Sequence, residues 1–166
     1  MPRALADLDP TVASGPGNAV GPIGPAGPPG PQGNQPFDVQ IFSGEQATTE
    51  DSPVRAGARF LDLTPFPALH PSGLTRVVEF VANIEVSGGT GTVRLRNRDD
   101  VETVTGTEIA SLSLTNIEVR SGPLTVGVAA GNLKDDKMYK VEIFHTGGTP
   151  SDAVTLTNAR LEISYV

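Results

Sequence analysis

Across much of residues 74–166, apolar and polar side chains alternate with a period of two. In "LTRVVEFVANIEV", Val78, Phe80, Ala82, Ile84 and Val86 share one parity, against Glu79, Asn83 and Glu85 on the other. That is the pattern of a strand with one buried face. "TVRLRN" sets Val93 and Leu95 opposite Arg94 and Arg96, and "MYKVEIFHT" sets Tyr139, Val141 and Ile143 opposite Lys140 and Glu142. "PLTVGVAA" aligns Leu124, Val126 and Val128, which predicts a strand over 123–130. "AVTLTNARLEISYV" opens with Val154 and Leu156 on one parity and closes with Leu161, Ile163 and Tyr165 on the other. The slip predicts a bulge or bend at Thr157–Asn158. Further strands are predicted over 38–43, 54–63 and 108–119. Turn signals separate them: "SGGTG" at 87–91, "NRDD" at 97–100, "RSGP" at 120–123, "GNLKDD" at 131–136 and "TGGTPSD" at 146–152. No segment carries a helical period. Eight or nine strands within residues 36–166 predict an all-β fold, an antiparallel β-sandwich of jelly-roll-like form.

The first 35 residues follow other rules. Glycine falls at Gly21, Gly24, Gly27, Gly30 and Gly33 without a miss, and proline follows it at 22, 25, 28 and 31. Three polyproline-II chains wind together only where every third residue lacks a Cβ, because no side chain fits on the shared axis. Proline in the second slot pre-sets φ for that conformation. Residues 21–35 are therefore expected to form a collagen-like triple-helical stalk, a rod of about 45 Å at roughly 3 Å per residue. The competing reading is a stiff single-stranded linker. Five triplets are too few to hold three strands alone, so the stalk implies a homotrimer whose association comes from the rest of the chain. Residues 1–20 form an extended arm with Leu5, Leu8 and Val12 as aliphatic anchors. Its functional reading is a peptide that orders on an anchoring partner, and its bland reading is a loose tail.

Composition narrows the function classes. The 166 residues include 19 glycines and 15 prolines, concentrated before residue 37, and the net charge is −7. That balance argues against a nucleic-acid partner held by phosphate attraction. With no cysteine, disulfides and thiolate metal sites are excluded. No apolar run has the length of a signal peptide or a membrane span, which predicts assembly in the cytosol. The two histidines, His70 and His145, have no nucleophile motif beside them and read as solvated or locally hydrogen-bonded. Asp99–Asp100 and Asp135–Asp136 lack the alternating spacing of a calcium loop. No cofactor, metal or catalytic residue is expected. "LDLTPFPALHP", 61–71, is apolar and stiffened by three prolines. It either folds over the end of the core or presents Leu63, Phe66 and Leu69 to a neighbouring subunit.

A phased "GPIGPAGPPGPQG" ahead of a β-rich domain ending "ARLEISYV" resembles the collagen-stalked trimeric proteins of bacteria and their phages. These include tail and head fibres, capsid decoration proteins, and spore-surface glycoproteins whose globular ends resemble the tumour-necrosis-factor and complement jelly rolls. A short stalk after a short arm is most similar to the virion appendages. The resemblance implies a structural virion protein assembled in the host cytoplasm. Its arm (1–20) would grip a capsid or tail protein, its stalk (21–35) would act as spacer, and its head (36–166) would project. The alternative is a trimeric module binding a cell-surface glycan; an enzyme ranks third.

Overall fold

The structure is a computed structural model and describes residues 36–112 and 114–166. Nine strands are found among them: β1 Phe37–Thr48, β2 Val54–Leu61, β3 Arg76–Val86, β4 Thr90–Asn97, β5 Glu102–Thr103, β6 Ile109–Ser111, β7 Ile117–Pro123, β8 Lys137–Thr146 and β9 Val154–Tyr165. One sheet has the order β1-β9-β3-β7, and the other β2-β8-β4-β5 with β6 also on β4. All pairs are antiparallel. The pairing is nested: β1 with β9, β2 with β8, β3 with β7, and β4 with β6. This is a long hairpin rolled onto itself, the pairing order of a jelly roll. Among the described residues no helix is long and apolar enough to cross a membrane. The predicted stalk and arm lie outside the described residues.

The inward rows build one core between the sheets. Phe80, Ile84, Leu156, Leu161 and Ile163 from the first sheet meet Leu95, Tyr139, Val141 and Ile143 from the second, all essentially without exposure. The predicted slip in β9 is present. Against β3 the register jumps from Asn83↔Asn158 to Ile84↔Leu156, and against β1 from Ser43↔Asn158 to Gln46↔Leu156. Thr157 is the extra residue that returns the C-terminal half of β9 to the core with Ala159, Leu161 and Ile163.

Two predictions at the same place fail. "RSGP" is not a turn, since Arg120–Pro123 close β7. The segment 123–130 is not a strand beyond Pro123, and only an isolated bridge joins Val126 to Leu133. The physical reason lies in β3, whose ladder with β7 ends at Glu79↔Pro123. Leu124 gives its last sheet-like bond to Val78, after which the chain bends away. Leu124 turns inward and Val128 stands in solvent, so the alternation reflects a loop crossing the core's rim. The predicted strand 108–119 likewise splits into β6 and β7 around an exposed link.

Gly91 sits within β4, an unfavourable place for glycine on propensity alone. A Cβ there would lie 2.5 Å from Val86 Cγ2 and 2.7 Å from Val154 Cγ2, both buried in the facing sheet. The two sheets approach closely at this point, and glycine leaves room for the two valines. Gly91→Ala is expected to lower unfolding stability by about 1–3 kcal/mol through overpacking, read as a drop in the urea midpoint. An unchanged midpoint would show that the sheets can part here.

Candidate functional site

Register places the loops in two groups. At one end β1 begins (Phe37↔Ile163), β9 finishes, and the link 62–75 passes from β2 to β3. At the other lie the links 49–53, 87–89 and 147–153. Each end and each sheet face offers a different chemistry.

The link 62–75 does two things. Leu63 is buried in the core, and its N–H donates to Asp135 Oδ1 at 2.6 Å. Phe66 is half-buried, with its ring centroid 5.5 Å from that of Phe37, and its carbonyl accepts from Arg76 Nη1. Beyond it the chain makes a narrow ribbon: Leu69 bridges Thr75, and Thr75 exchanges hydrogen bonds of 2.8 and 3.0 Å with Val166. The ribbon exposes Leu69 at 64% and Leu74 at 38%, beside Phe37 at 43%. Of the three residues read from sequence as an inter-subunit contact, Leu69 presents most of its side chain, Phe66 part of it, and Leu63 almost none. The triplet glycines Gly21, Gly24, Gly27, Gly30 and Gly33 and the arm residues Leu5, Leu8 and Val12 lie outside the described residues.

The opposite end combines a polar concavity with the exposed side chains of Leu112 and Leu114. A concavity of about 420 Å³ is bordered by Thr49, Glu50, Asp51, His145, Thr149 and Pro150, with no Phe, Tyr or Trp in its lining. His145 is buried, with Nε2 2.5 Å from the Gly88 carbonyl. His70, at the apolar end, contacts Ser72 Oγ through Nδ1 at 2.6 Å and packs tilted against Tyr165 with centroids 5.0 Å apart. Each histidine is thus engaged locally, as the sequence implied. The carboxylates of Asp62, Asp135 and Asp136 lie within 4.8 Å of one another and are the one such group among the described residues. Two of them bond the loop backbone: Asp62 accepts the Thr64 N–H at 2.8 Å, and Asp135 accepts that of Asp136 at 3.0 Å as well as that of Leu63. Asp99 and Asp100 are likewise engaged, by the Met138 N–H at 3.1 Å and the Lys134 ammonium at 2.7 Å. Lys134 also reaches Glu102 at 2.7 Å and holds both carboxyls below their usual range.

The outer face of the first sheet carries an ionic lattice that the sequence did not reveal. Asp38, Glu162 and Glu79 stand in one cross-strand row on β1, β9 and β3. Like charges placed directly opposite each other are destabilising. The next row supplies Arg160 and Arg120. Arg120 bonds Glu162 through both Nη atoms (3.0 and 3.1 Å), Glu79 at 3.1 Å and Glu118 at 2.9 Å. Arg160 bonds Glu118 at 2.9 Å and lies 3.3 Å from Asp38. Val81 lies in the row of the two arginines and is fully buried although it faces outward. The signal in the sequence was the parity of Glu118 and Arg120 against Ile117 and Val119, legible only once β7 is placed beside β3.

No protein-family model and no curated protein sequence matches the chain. Solved structures that the chain matches include the VP2 subviral particle of infectious bursal disease virus, at 14% identity and TM-score 0.42 over 78% of this chain and 32% of that one. Eiger TNF from S. frugiperda matches at 16% identity and TM-score 0.36, over 80% of this chain and 93% of that one. A family two carbohydrate esterase from Cellvibrio japonicus matches at 13% and 0.31, over 80% and 34%. The chain spans about a third of the length of the viral proteins it matches.

The arginine of β7 sets a pH response. Its hydrogen bonds hold the Glu162 carboxyl below the ordinary value of 4.5, and Arg160, with Arg120 second, does the same for Glu118. Groups depressed in the folded state contribute stability above their unfolded pKa and lose it as pH falls through the lower folded value. Urea midpoints should therefore hold between pH 7 and 5 and fall below about pH 4.5. Arg120→Ala should be less stable at pH 7 and show a shallower acid decline. An Arg120→Ala decline parallel to the unaltered protein's would remove the lattice from the account.

Proposed function

We propose that the chain is a structural component of a phage particle. It is a homotrimer joined to a capsid or tail protein by its N-terminal arm, with the β-sandwich as the projecting head of a short three-stranded stalk. The observation that carries this reading is the unbroken triplet phase from Gly21 to Gly33, ending four residues before β1 opens at Phe37. A glycine at every third position is what three chains sharing an axis require. The stalk gives separation, and separation is useful to a protein with something to hold at each end. The sandwich folds around its own core, and its described side chains are spent on cohesion: paired carboxylates, capped loops and bonded histidines. These features support a structural role over a catalytic one.

A glycan-binding head is the second reading, and the polar concavity beside Glu50 and Thr149 is what favours it. Sugar sites commonly stack a ring face on an aromatic side chain, as other cation and ring surfaces do. The lining offers none, so the structural reading stands first.

Three arms leaving one stalk would attach trivalently, so that weak single contacts add to firm binding. Deletion of residues 2–14 is expected to leave a soluble, folded trimer that no longer co-sediments with particles lacking the native protein. Attachment at the unaltered stoichiometry would make the head the attached end and refute the role of Leu5, Leu8 and Val12.

A further inference from the structure

We infer that the apolar end formed by Phe37, Phe66, Leu69 and Leu74 is the contact through which three copies of this chain meet. The inference rests on the three-stranded reading above and adds the surface that reading lacks.

Two independent observations converge on it. The first is exposure without a use inside the subunit. Phe37 opens β1 and packs tilted against Phe66, while Leu69 and Leu74 flank the tip of a ribbon tied to β9 through Thr75 and Val166. Phe37, Leu69 and Leu74 are all among the exposed large hydrophobic residues. Apolar side chains gathered at one place and left in water mark interaction surfaces. The flat faces of the sandwich are mostly charged, with Phe60 on β2 the large apolar side chain left exposed on one of them. That of the first sheet is covered by the Arg120–Arg160 lattice. That of the second carries Arg94, Arg96 and Lys140 around the buried Glu142.

The second observation is where the chain outside the described residues ends. Three residues lie between Gly33 and Phe37, so four Cα-to-Cα steps span at most roughly 14 Å of extended backbone. Three strands with their glycines on one axis therefore deliver three copies of Phe37 within that distance of a common line. A domain of the size of residues 36–166 has a radius of gyration of about 14 Å. Three such bodies tethered by the same end hold their Phe37 residues within about 28 Å of one another, which turns those ends toward a common axis. The residues that meet are the ones beside Phe37, and these are the apolar ones. In a cyclic trimer each copy contributes the patch to two neighbours, so the same few side chains serve both sides of a heterologous contact.

The test uses the full chain and sedimentation velocity at micromolar concentration, on the unaltered protein, Leu69→Asp/Leu74→Asp, and Leu112→Asp/Leu114→Asp. The last pair alters exposed leucines at the opposite end, beyond β6, where Ser111 pairs with Gly91. The expected result is a trimer for the unaltered protein and for the Leu112/Leu114 variant. For the Leu69/Leu74 variant, the expected result is a threefold loss of mass with unchanged circular dichroism. A Leu69/Leu74 variant that stays trimeric overturns this inference and leaves the trimer standing. A monomeric unaltered protein overturns both. A trimer dissolved by the Leu112/Leu114 change alone moves the interface to the other end and overturns the inference as well. Should the aspartates unfold the domain, Leu69→Cys labelled with pyrene reads the same proximity in a chain that has no other cysteine. Excimer emission is expected from the labelled trimer, and its absence overturns the contact.

Discussion

The burial of one face of β9, with both of its edges hydrogen-bonded, is the constraint on which the rest of this fold depends. Val154, Leu156, Ala159, Leu161 and Ile163 face the core, while β1 and β3 take the two backbone edges along nearly the whole strand. A one-residue slip would turn that row outward, so the register is fixed by burial. Thr157 absorbs the mismatch between the two halves, and both neighbours shift register at the same place. Because β9 fixes β1 and β3, it also fixes where Phe37 emerges and where the ribbon carrying Leu69 and Leu74 is anchored.

The outward row of the same strand has the opposite character. Arg160 and Glu162 join the lattice with Arg120, Glu118, Glu79 and Asp38. Exposed pairs of this kind are each worth about 0–1 kcal/mol, so their main consequence is the surface they make. A broad face covered by satisfied charges resists apolar association. The ends of the sandwich are free of that restriction: Phe37, Leu69 and Leu74 are exposed at one, and Leu112 and Leu114 at the other. The division of labour follows from the period of two: one parity of β9 holds the two sheets together, and the other keeps this sheet from sticking to another.

Much of this was legible in the sequence, for reasons that can be stated. The alternation of β3 and β8 has a single solution because each has one wholly buried parity, and the phase slip of β9 could come only from an added residue. The segment 123–130 misled because alternation says which side chains turn inward and not whether an edge remains to pair with. After Pro123 the ladder with β3 is finished. The lattice was hidden for a related reason, since its charges are close across strands 40 or more residues apart in the chain. The loop 61–71 was ambiguous between core lid and contact surface. It turned out to be divided, with Leu63 in the core and Leu69 in solvent.

The account's central claim is that three chains are joined side by side, with the triplet phase and the apolar end as two expressions of one symmetry. Multi-angle light scattering on the full-length chain tests it most directly, because it measures mass without reference to shape. The predicted result is a single species of three times the 17.2 kDa chain mass. A monodisperse species of one chain mass at micromolar concentration would contradict it.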